Sequence, residues 1–374
     1  MRLTVPLHGA LERPIFGTID PRCQIERSLS GNGSVRRILK AAGLLLTIAV
    51  AFLVGVGAIW EQIERQRAVR DFPAPGRLVD IGGRRIQIDC RGTGSPTVVF
   101  ESGLGIYGSL SWTKVHGEVA EFTRACAYSR AGIVWSDDKD GPHDGAGVAR
   151  DLHATLAAAD ERGPFVLVGH SLGGAYITVY TKLYGDEVAG LVYVDASHPD
   201  QQKRVEAARG RRPESSAMMA VTRVALRLQW TGIVRLGAGL FTPTPPNVPS
   251  ETVKTRTVFA PKSAAAVIAE MDSASSTLAE AGTFRNLGAR PVAVLTHNES
   301  LTDDALKKQG MSKLEGEKLN SVWLDLQNDI ASWSSRSTHR ILGDAGHYIQ
   351  FDRPDAVVTA IREVVDGVRS DAPR

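Results

Sequence analysis

"FVLVGHSLGGAYITVY", residues 165–180, joins a short apolar run to an amphipathic stretch through a serine with glycines close on both sides. Phe165 to Val168 reads as a buried strand, and Leu172, Ala175, Tyr176, Val179 and Leu183 recur at helical spacing. Between them stands Gly169-His170-Ser171-Leu172-Gly173, a G-x-S-x-G. A serine at so sharp a strand-to-helix turn is forced into a strained backbone, and larger residues two places away would clash with it. The turn lifts the hydroxyl clear of the sheet, and the helix N-terminus just beyond favours developing negative charge. A bare G-x-S-x-G is common by chance; set between a strand and a helix it predicts a nucleophile elbow.

The same alternation runs along the chain on both sides. "RLVDIGG" and "RRIQIDCRG" predict a hairpin around Gly82-Gly83, and "TVVFESG" and "TRACAYSRAG" predict two buried strands. Val148, Leu152, Leu156 and Ala159 then mark a helix, and "GLVYVDAS", "PVAVLTH" and "THRILGDAG" add three strands. A last helix carries Val357, Ile361 and Val365 on one face, with Asp352 as its expected cap and Pro354 in its first turn. Strands alternating with helices predict a mostly parallel sheet covered on both faces. One interval, between "LVYVDAS" and "PVAVLTH", far exceeds an ordinary crossover. Its apolar residues Met218, Met219, Val224, Leu226, Leu228, Trp230 and Ile233 predict a helical cap that covers something.

Taken together, these segments resemble the α/β-hydrolase fold family over about Arg77 to Val368. "ESGLG" (101–105) stands where that family places its oxyanion loop, and "YSRAGIVWSD" resembles its Y-D-R-A-G-x-G-W-S-D segment, departing at Ser129 and at Ile133-Val134. "GDAGHYIQFDRP" is similar to the loop that carries the family's histidine, and "VDASHPDQ" resembles a membrane-anchored bacterial subgroup. The resemblance implies a core of 77–197 and 291–374, with a helical cap at 198–290 inserted after the sixth strand.

A serine hydroxyl needs a base to take its proton. His347 follows the last strand and so reaches the edge of the sheet that holds Ser171, in the family's chain order. His198 and His297, at strand ends near that edge, are expected to line the pocket, while His8, His116, His143, His153 and His339 read as surface or packing residues. The family usually takes its acid from the loop after the seventh strand. Resemblance to the anchored subgroup points instead to Asp195, with Glu299 second and Asp325 third; a structural carboxylate capping a turn stays open for Asp195. The backbone N–H groups of Leu104 and Leu172 are the expected oxyanion donors, with Gly103 and Gly105 letting the backbone approach.

Residues 103–108 also fit G-x-G-x-x-G, but the next strand ends in "AYSRAG", without the acidic residue a dinucleotide site needs. No metal-binding or nucleotide motif is found, so neither cofactor nor metal is expected. A net charge of +3 on 374 residues gives no reason to expect nucleic acid as a partner. The expected reaction is cleavage of a small-molecule carboxylic ester, lipophilic if the cap's apolar face lines the pocket, through an acyl-enzyme. Ser171 argues against epoxide and haloalkane chemistry, which use an aspartate at the elbow. Cofactor-free haloperoxidase-like or C–C hydrolysis stays open, as does a membrane-tethered binding module on the same scaffold.

The N-terminal part has a different composition. Ala41 to Trp60 is uncharged and long enough to cross a bilayer core, with Arg36, Arg37 and Lys40 just before it. This predicts a disordered cytoplasmic tail (1–35), a transmembrane signal anchor (36–60), a linker (61–76) and a catalytic part outside the cytoplasm. A cleaved signal peptide is the competing reading. Cys90 and Cys126 then face an oxidising compartment, either as a disulfide or as two buried thiols in neighbouring strands.

Overall fold

The computed structural model describes residues 21–210, 221, 223–224, 226–241, 244–298, 306–307 and 310–371. Its strands are β1 (Arg77–Asp80), β2 (Arg85–Arg91), β3 (Thr97–Glu101), β4 (Ala125–Ser129), β5 (Phe165–His170), β6 (Val188–Val194), β7 (Gly288–His297) and β8 (Ser334–Leu342). They form one sheet in the order β1-β2-β4-β3-β5-β6-β7-β8. β2 runs antiparallel to both its neighbours, and every other pair is parallel. β3, β4 and β5 are buried along their whole length, which is why their sequences are continuous apolar runs with little alternation. The hairpin at Gly82-Gly83 forms as expected, closed by Asp80 Oδ1 accepting from both glycine N–H groups at 2.8 and 2.7 Å. Cys90 and Cys126 face each other in register on β2 and β4 and are joined as a disulfide.

Helices cover both faces of this sheet. Leu152 and Leu156 of one helix and Tyr176 and Tyr180 of the next pack on one side, and Val357, Ile361 and Val365 of the last helix on the other. The first of these helices spans Gly145–Ala158 and is capped by Asp144, whose carboxylate accepts from the Gly147 N–H at 2.7 Å. The last spans Pro354–Asp371. Asp352 does not cap it: the residue closes a separate short turn, Ile349–Asp352, and its carboxylate accepts from the Gly346 N–H at 3.0 Å. It thereby braces the loop that carries His347.

The long interval between β6 and β7 contains helices Gln201–Arg209, Ile233–Phe241 and Ser250–Ala281. The apolar residues expected to belong to a cap that covers something are described only in part. Met218 and Met219 lie outside the described residues, and Val224, Trp230 and Ile233 are exposed. The covering is done by the Ser250–Ala281 helix, which buries Phe259, Ala266 and Leu278.

By contact density the chain divides into residues 1–56 and 57–374. Within the first unit the backbone is helical from Pro21, and residues 1–20 of the expected tail lie outside the described residues. The helix over Ser34–Asp71 is long and apolar enough to cross a membrane by length and composition, and Leu44, Leu45, Leu46, Phe52 and Leu53 are exposed. Within the second unit, the linker expected at 61–76 is helical to Asp71. Phe72 and Ala74 then pack on a cluster containing Ala68, Tyr107, Trp135 and Phe259, and the Phe72 carbonyl accepts from Trp135 Nε1 at 2.9 Å.

The turn at Ser171 is built as its sequence requires. Ser171 has φ 51° and ψ −124°, a conformation side chains disfavour. A Cβ on Gly169 would sit 2.6 Å from the Gly173 carbonyl oxygen, and one on Gly173 would sit 2.5 Å from that of Glu101. Behind the turn, His170 is buried and its Nε2–H donates to the His347 carbonyl at 2.9 Å, tying the two loops together. Burial, and then the nearby His347 ring, push the His170 pKa down to about 3, so the ring stays neutral. Unfolding returns it to a value of about 6.5. Ionisation of His170 therefore leaves stability unaffected well above pH 6.5, and stability falls as pH drops from 6.5 toward 3, with a slope of up to about 1.4 kcal/mol per pH unit. Urea unfolding followed between pH 7 and 4.5 should show a shallower pH slope for His170→Asn, which keeps a donor but does not titrate, than for wild type. Identical slopes would refute the assignment.

Candidate active site

Because β5 to β8 run parallel, the segments that follow them emerge at one edge of the sheet. Ser171 follows β5, Asp195 follows β6, His297 ends β7, and His347 lies in the loop after β8. The His347 ring bridges two of these residues. Its Nε2 is 3.0 Å from Ser171 Oγ, and its Nδ1 is 2.5 Å from Asp195 Oδ2. An ionised carboxylate can only accept, so Nδ1–H donates to Asp195 and the Nε2 lone pair faces the serine hydroxyl.

Asp195 is fully buried and has φ 45°. Its N–H donates to the Leu295 carbonyl at 2.8 Å, which holds this strained residue at the β6–β7 seam. Four donors converge on the carboxylate. Oδ2 accepts from His347 Nδ1 and, at 2.7 Å, from His297 Nδ1; Oδ1 accepts from Trp323 Nε1 at 2.9 Å and the His297 N–H at 3.2 Å. Burial alone would push this carboxyl up, but the hydrogen bonds from His297 and His347 outweigh it and hold the pKa below the usual range. The carboxylate is thus kept charged in a dry setting.

Of the acids considered from the sequence, Asp195 is the one brought to His347. Asp325 is exposed and pairs with Arg204 at 3.3 Å, and Glu299 lies outside the described residues. His198 does not line the cavity as expected; it is buried with Nε2 2.6 Å from Asp329 Oδ2. His297 both lines the cavity and holds Asp195, the second of which its position at a strand end did not reveal. Trp323 gives no signal in the sequence, since a tryptophan on a helix carries no mark of an indole N–H reaching a carboxylate. His116 and His143 are buried, His153 stacks on Tyr184 and His339 meets Thr296, while His8 lies outside the described residues.

The loop holding Leu104 is fixed from beneath by a buried cation. Arg130 donates from Nη1 to the Ser102 carbonyl at 2.7 Å and from Nη2 to the Gly103 carbonyl at 2.9 Å. The guanidinium is held by Glu101 at 2.5 Å and, through two hydrogen bonds of 2.7 and 2.8 Å, by Glu270 of the Ser250–Ala281 helix. Burial works against this charge, yet Glu270 and Glu101 outweigh it and raise the Arg130 pKa well above its ordinary value. A bidentate pair of this kind, all three side chains at most 3% exposed, sets the loop's position relative to the cap helix. Leu172 opens the helix Leu172–Leu183, where the first N–H groups have no partner within the helix.

A cavity of about 550 Å³ adjoins the site, bordered by His297, His347, Trp323, Leu306, Met311 and Val205. That size suits a small organic molecule. Asp195, His297 and His347 also offer donor atoms within 4.8 Å of one another, enough for a metal ion. Those same atoms are already engaged in the hydrogen bonds described, so a metal would have to displace the contacts that orient His347.

The chain resembles known proteins in ways that agree with this geometry. The alpha/beta hydrolase family model matches residues 84–360. An uncharacterised protein of Schizosaccharomyces pombe is 31% identical over 153 residues, 33% of this chain and 28% of that protein. An uncharacterised vacuolar membrane protein of Saccharomyces cerevisiae is 33% identical over 108 residues, 28% of this chain and 17% of that one. The chain thus spans well under two thirds of the length of these relatives. Among solved structures, a thermophilic esterase from Thermogutta terrifontis superposes with a TM-score of 0.52 at 20% identity, covering 78% of this chain and 98% of the esterase. With the matched model covering most of the chain and the sheet, elbow and histidine loop in their expected order, the chain belongs to the alpha/beta hydrolase family.

Proposed function

We propose that this chain is a membrane-tethered serine hydrolase that cleaves a carboxylic ester through an acyl-enzyme. The observation that carries this reading is the unbroken line from Ser171 Oγ to His347 Nε2 at 3.0 Å and from His347 Nδ1 to Asp195 at 2.5 Å. Ser171 attacks the acyl carbon and its proton passes to His347 Nε2. Asp195 stays ionised and stabilises the imidazolium that forms. The oxyanion is received by the N–H groups of Leu104 and Leu172, one on the loop fixed by Arg130 and one at a helix N-terminus. Collapse expels the alkoxide, which takes the proton from His347. A water then repeats the sequence, releasing the acid and restoring Ser171.

Leu306, Met311 and Val205 on the cavity wall favour an apolar acyl or alkyl group. The positive residues Arg36, Arg37 and Lys40 before the apolar helix favour a cytoplasmic N-terminus with the catalytic part on the other side. The Cys90–Cys126 disulfide agrees, since such bonds persist in oxidising compartments, and the yeast vacuolar membrane protein lends further support to a membrane setting.

Hydrolysis of p-nitrophenyl esters of several chain lengths tests the assignment directly. Ser171→Ala and His347→Ala should each lower kcat by about 10⁴-fold or more, and Ser171→Ala should lose labelling by a fluorophosphonate probe. Equal rates in wild type and both variants would favour a ligand-binding module instead.

His297→Gln removes one of the two imidazoles on Asp195, so kcat should fall by roughly tenfold while Ser171 can still be labelled to completion. Full wild-type turnover in this variant would show that the second imidazole is dispensable.

Glu270→Gln weakens the hold on Arg130 without emptying space. Because an oxyanion donor acts mainly in the transition state, kcat should drop by about tenfold with KM nearly unchanged. A rise in KM alone would place the effect in substrate binding and remove the loop from the account.

A further inference from the structure

Exposed large apolar side chains occur in several places between residues 57 and 374, but one short stretch concentrates them. Between residues 221 and 236 the cap exposes Val221 (64%), Val224 (58%), Trp230 (52%), Ile233 (51%) and Leu236 (74%). Soluble surfaces rarely gather so many into one segment, and an apolar patch of this kind marks a contact site.

What this face meets is indicated by its neighbours. Thr231 and Gly232 lie against Gly57 and Trp60: a Cβ on Gly57 would sit 2.3 Å from the Thr231 carbonyl oxygen, and one on Gly232 would sit 3.0 Å from the Trp60 ring. Gly57 to Trp60 are the final residues of the uncharged run Ala41 to Trp60. The next residue, Glu61, is 2% exposed and is gripped by Arg235 through hydrogen bonds of 2.7 and 3.1 Å. The exposed face is therefore fastened to the place where the apolar helix leaves its hydrophobic stretch. Arg223 and Arg227 are interspersed in it, both exposed, and among the described residues Arg227 has no carboxylate partner. Apolar side chains with interspersed arginines, tied beside a membrane-length helix, are the pattern of an element that lies in the lipid interface.

We propose that the 221–236 face of the cap rests in the headgroup and upper acyl layer of the bilayer entered by the N-terminal helix. The inference rests on the anchor reading of that helix. Trp230 and Trp60 then sit at the level where tryptophans concentrate, and Arg227 meets lipid phosphate. The bilayer covers an apolar face that the core leaves uncovered.

The test uses the full chain with Cys23→Ser and the Cys90–Cys126 disulfide intact. Single cysteines introduced as Val224→Cys or Leu236→Cys carry an NBD fluorophore, and Leu314→Cys, on an exposed apolar residue elsewhere, is the control. After reconstitution into phosphatidylcholine–phosphatidylglycerol liposomes, spin-labelled lipid should quench the probes at 224 and 236 about threefold or more, while aqueous iodide quenches the probe at 314. The same result in nanodiscs holding one chain each assigns the cover to lipid. Iodide quenching at all three positions in a chain that floats with liposomes overturns the proposal and leaves the anchor standing. Failure to float removes both. Protection that vanishes with one chain per disc and returns with two overturns it in favour of a second copy.

Discussion

A charge taken out of water must be repaid by its surroundings, and Asp195 sets the terms for everything around it. Its carboxylate is inaccessible to solvent, and without partners it would simply take up a proton. Two imidazoles, an indole and a backbone amide prevent that. Those donors come from three separate segments: the end of β7, the helix Lys313–Ser332 and the loop after β8. None is close to Asp195 in sequence. The parallel sheet brings them together by ending consecutive strands at one edge, so the strand order serves the carboxylate as much as the serine.

A second buried charge does similar work on the opposite side of the elbow. Arg130 ties the Ser102 and Gly103 carbonyls to the Ser250–Ala281 helix, which arrives well over a hundred residues later in the chain. Buried ion pairs seldom add net stability compared with apolar packing, but they tolerate only one arrangement of their partners. At this position that property is useful. In the proposed reaction the Leu104 amide has to be aimed within a fraction of an ångström, and apolar packing alone would allow several nearly equal placements.

The parts of this design that were legible in sequence are those with a local cause. Gly169 and Gly173 announce the turn at Ser171 because a side chain on either would strike backbone. The apolar runs of β3 to β6 announce buried strands, and the position of His347 after the last strand places it at the right edge. Resemblance points to Asp195, and the structure places its carboxylate on His347. What stayed hidden depends on distant contacts. Trp323 and Glu270 look like ordinary helix residues until the fold brings a carboxylate to one and a guanidinium to the other. The apolar residues from Met218 to Ile233 predict a cap that covers something, but amphipathic pattern alone does not say which partner a face will meet. Likewise nothing local to the 61–76 linker says that Phe72 and Ala74 dock on the core.

The disulfide between β2 and β4 has a mechanical consequence. β1 is an edge strand, and β2 beside it is the one strand that runs against the rest. Chain entering the sheet from Asp71 passes first through this hairpin, which backbone hydrogen bonds and the packing of Val79, Ile86 and Ile88 hold at the margin. A load applied at that entry would tend to peel β1 and β2 away strand by strand. The Cys90–Cys126 bond diverts the load to β4, which is flanked on its other side by β3 and buried along its length. Load that passes the docked Phe72 and Ala74 and reaches the hairpin is thereby handed to the middle of the sheet.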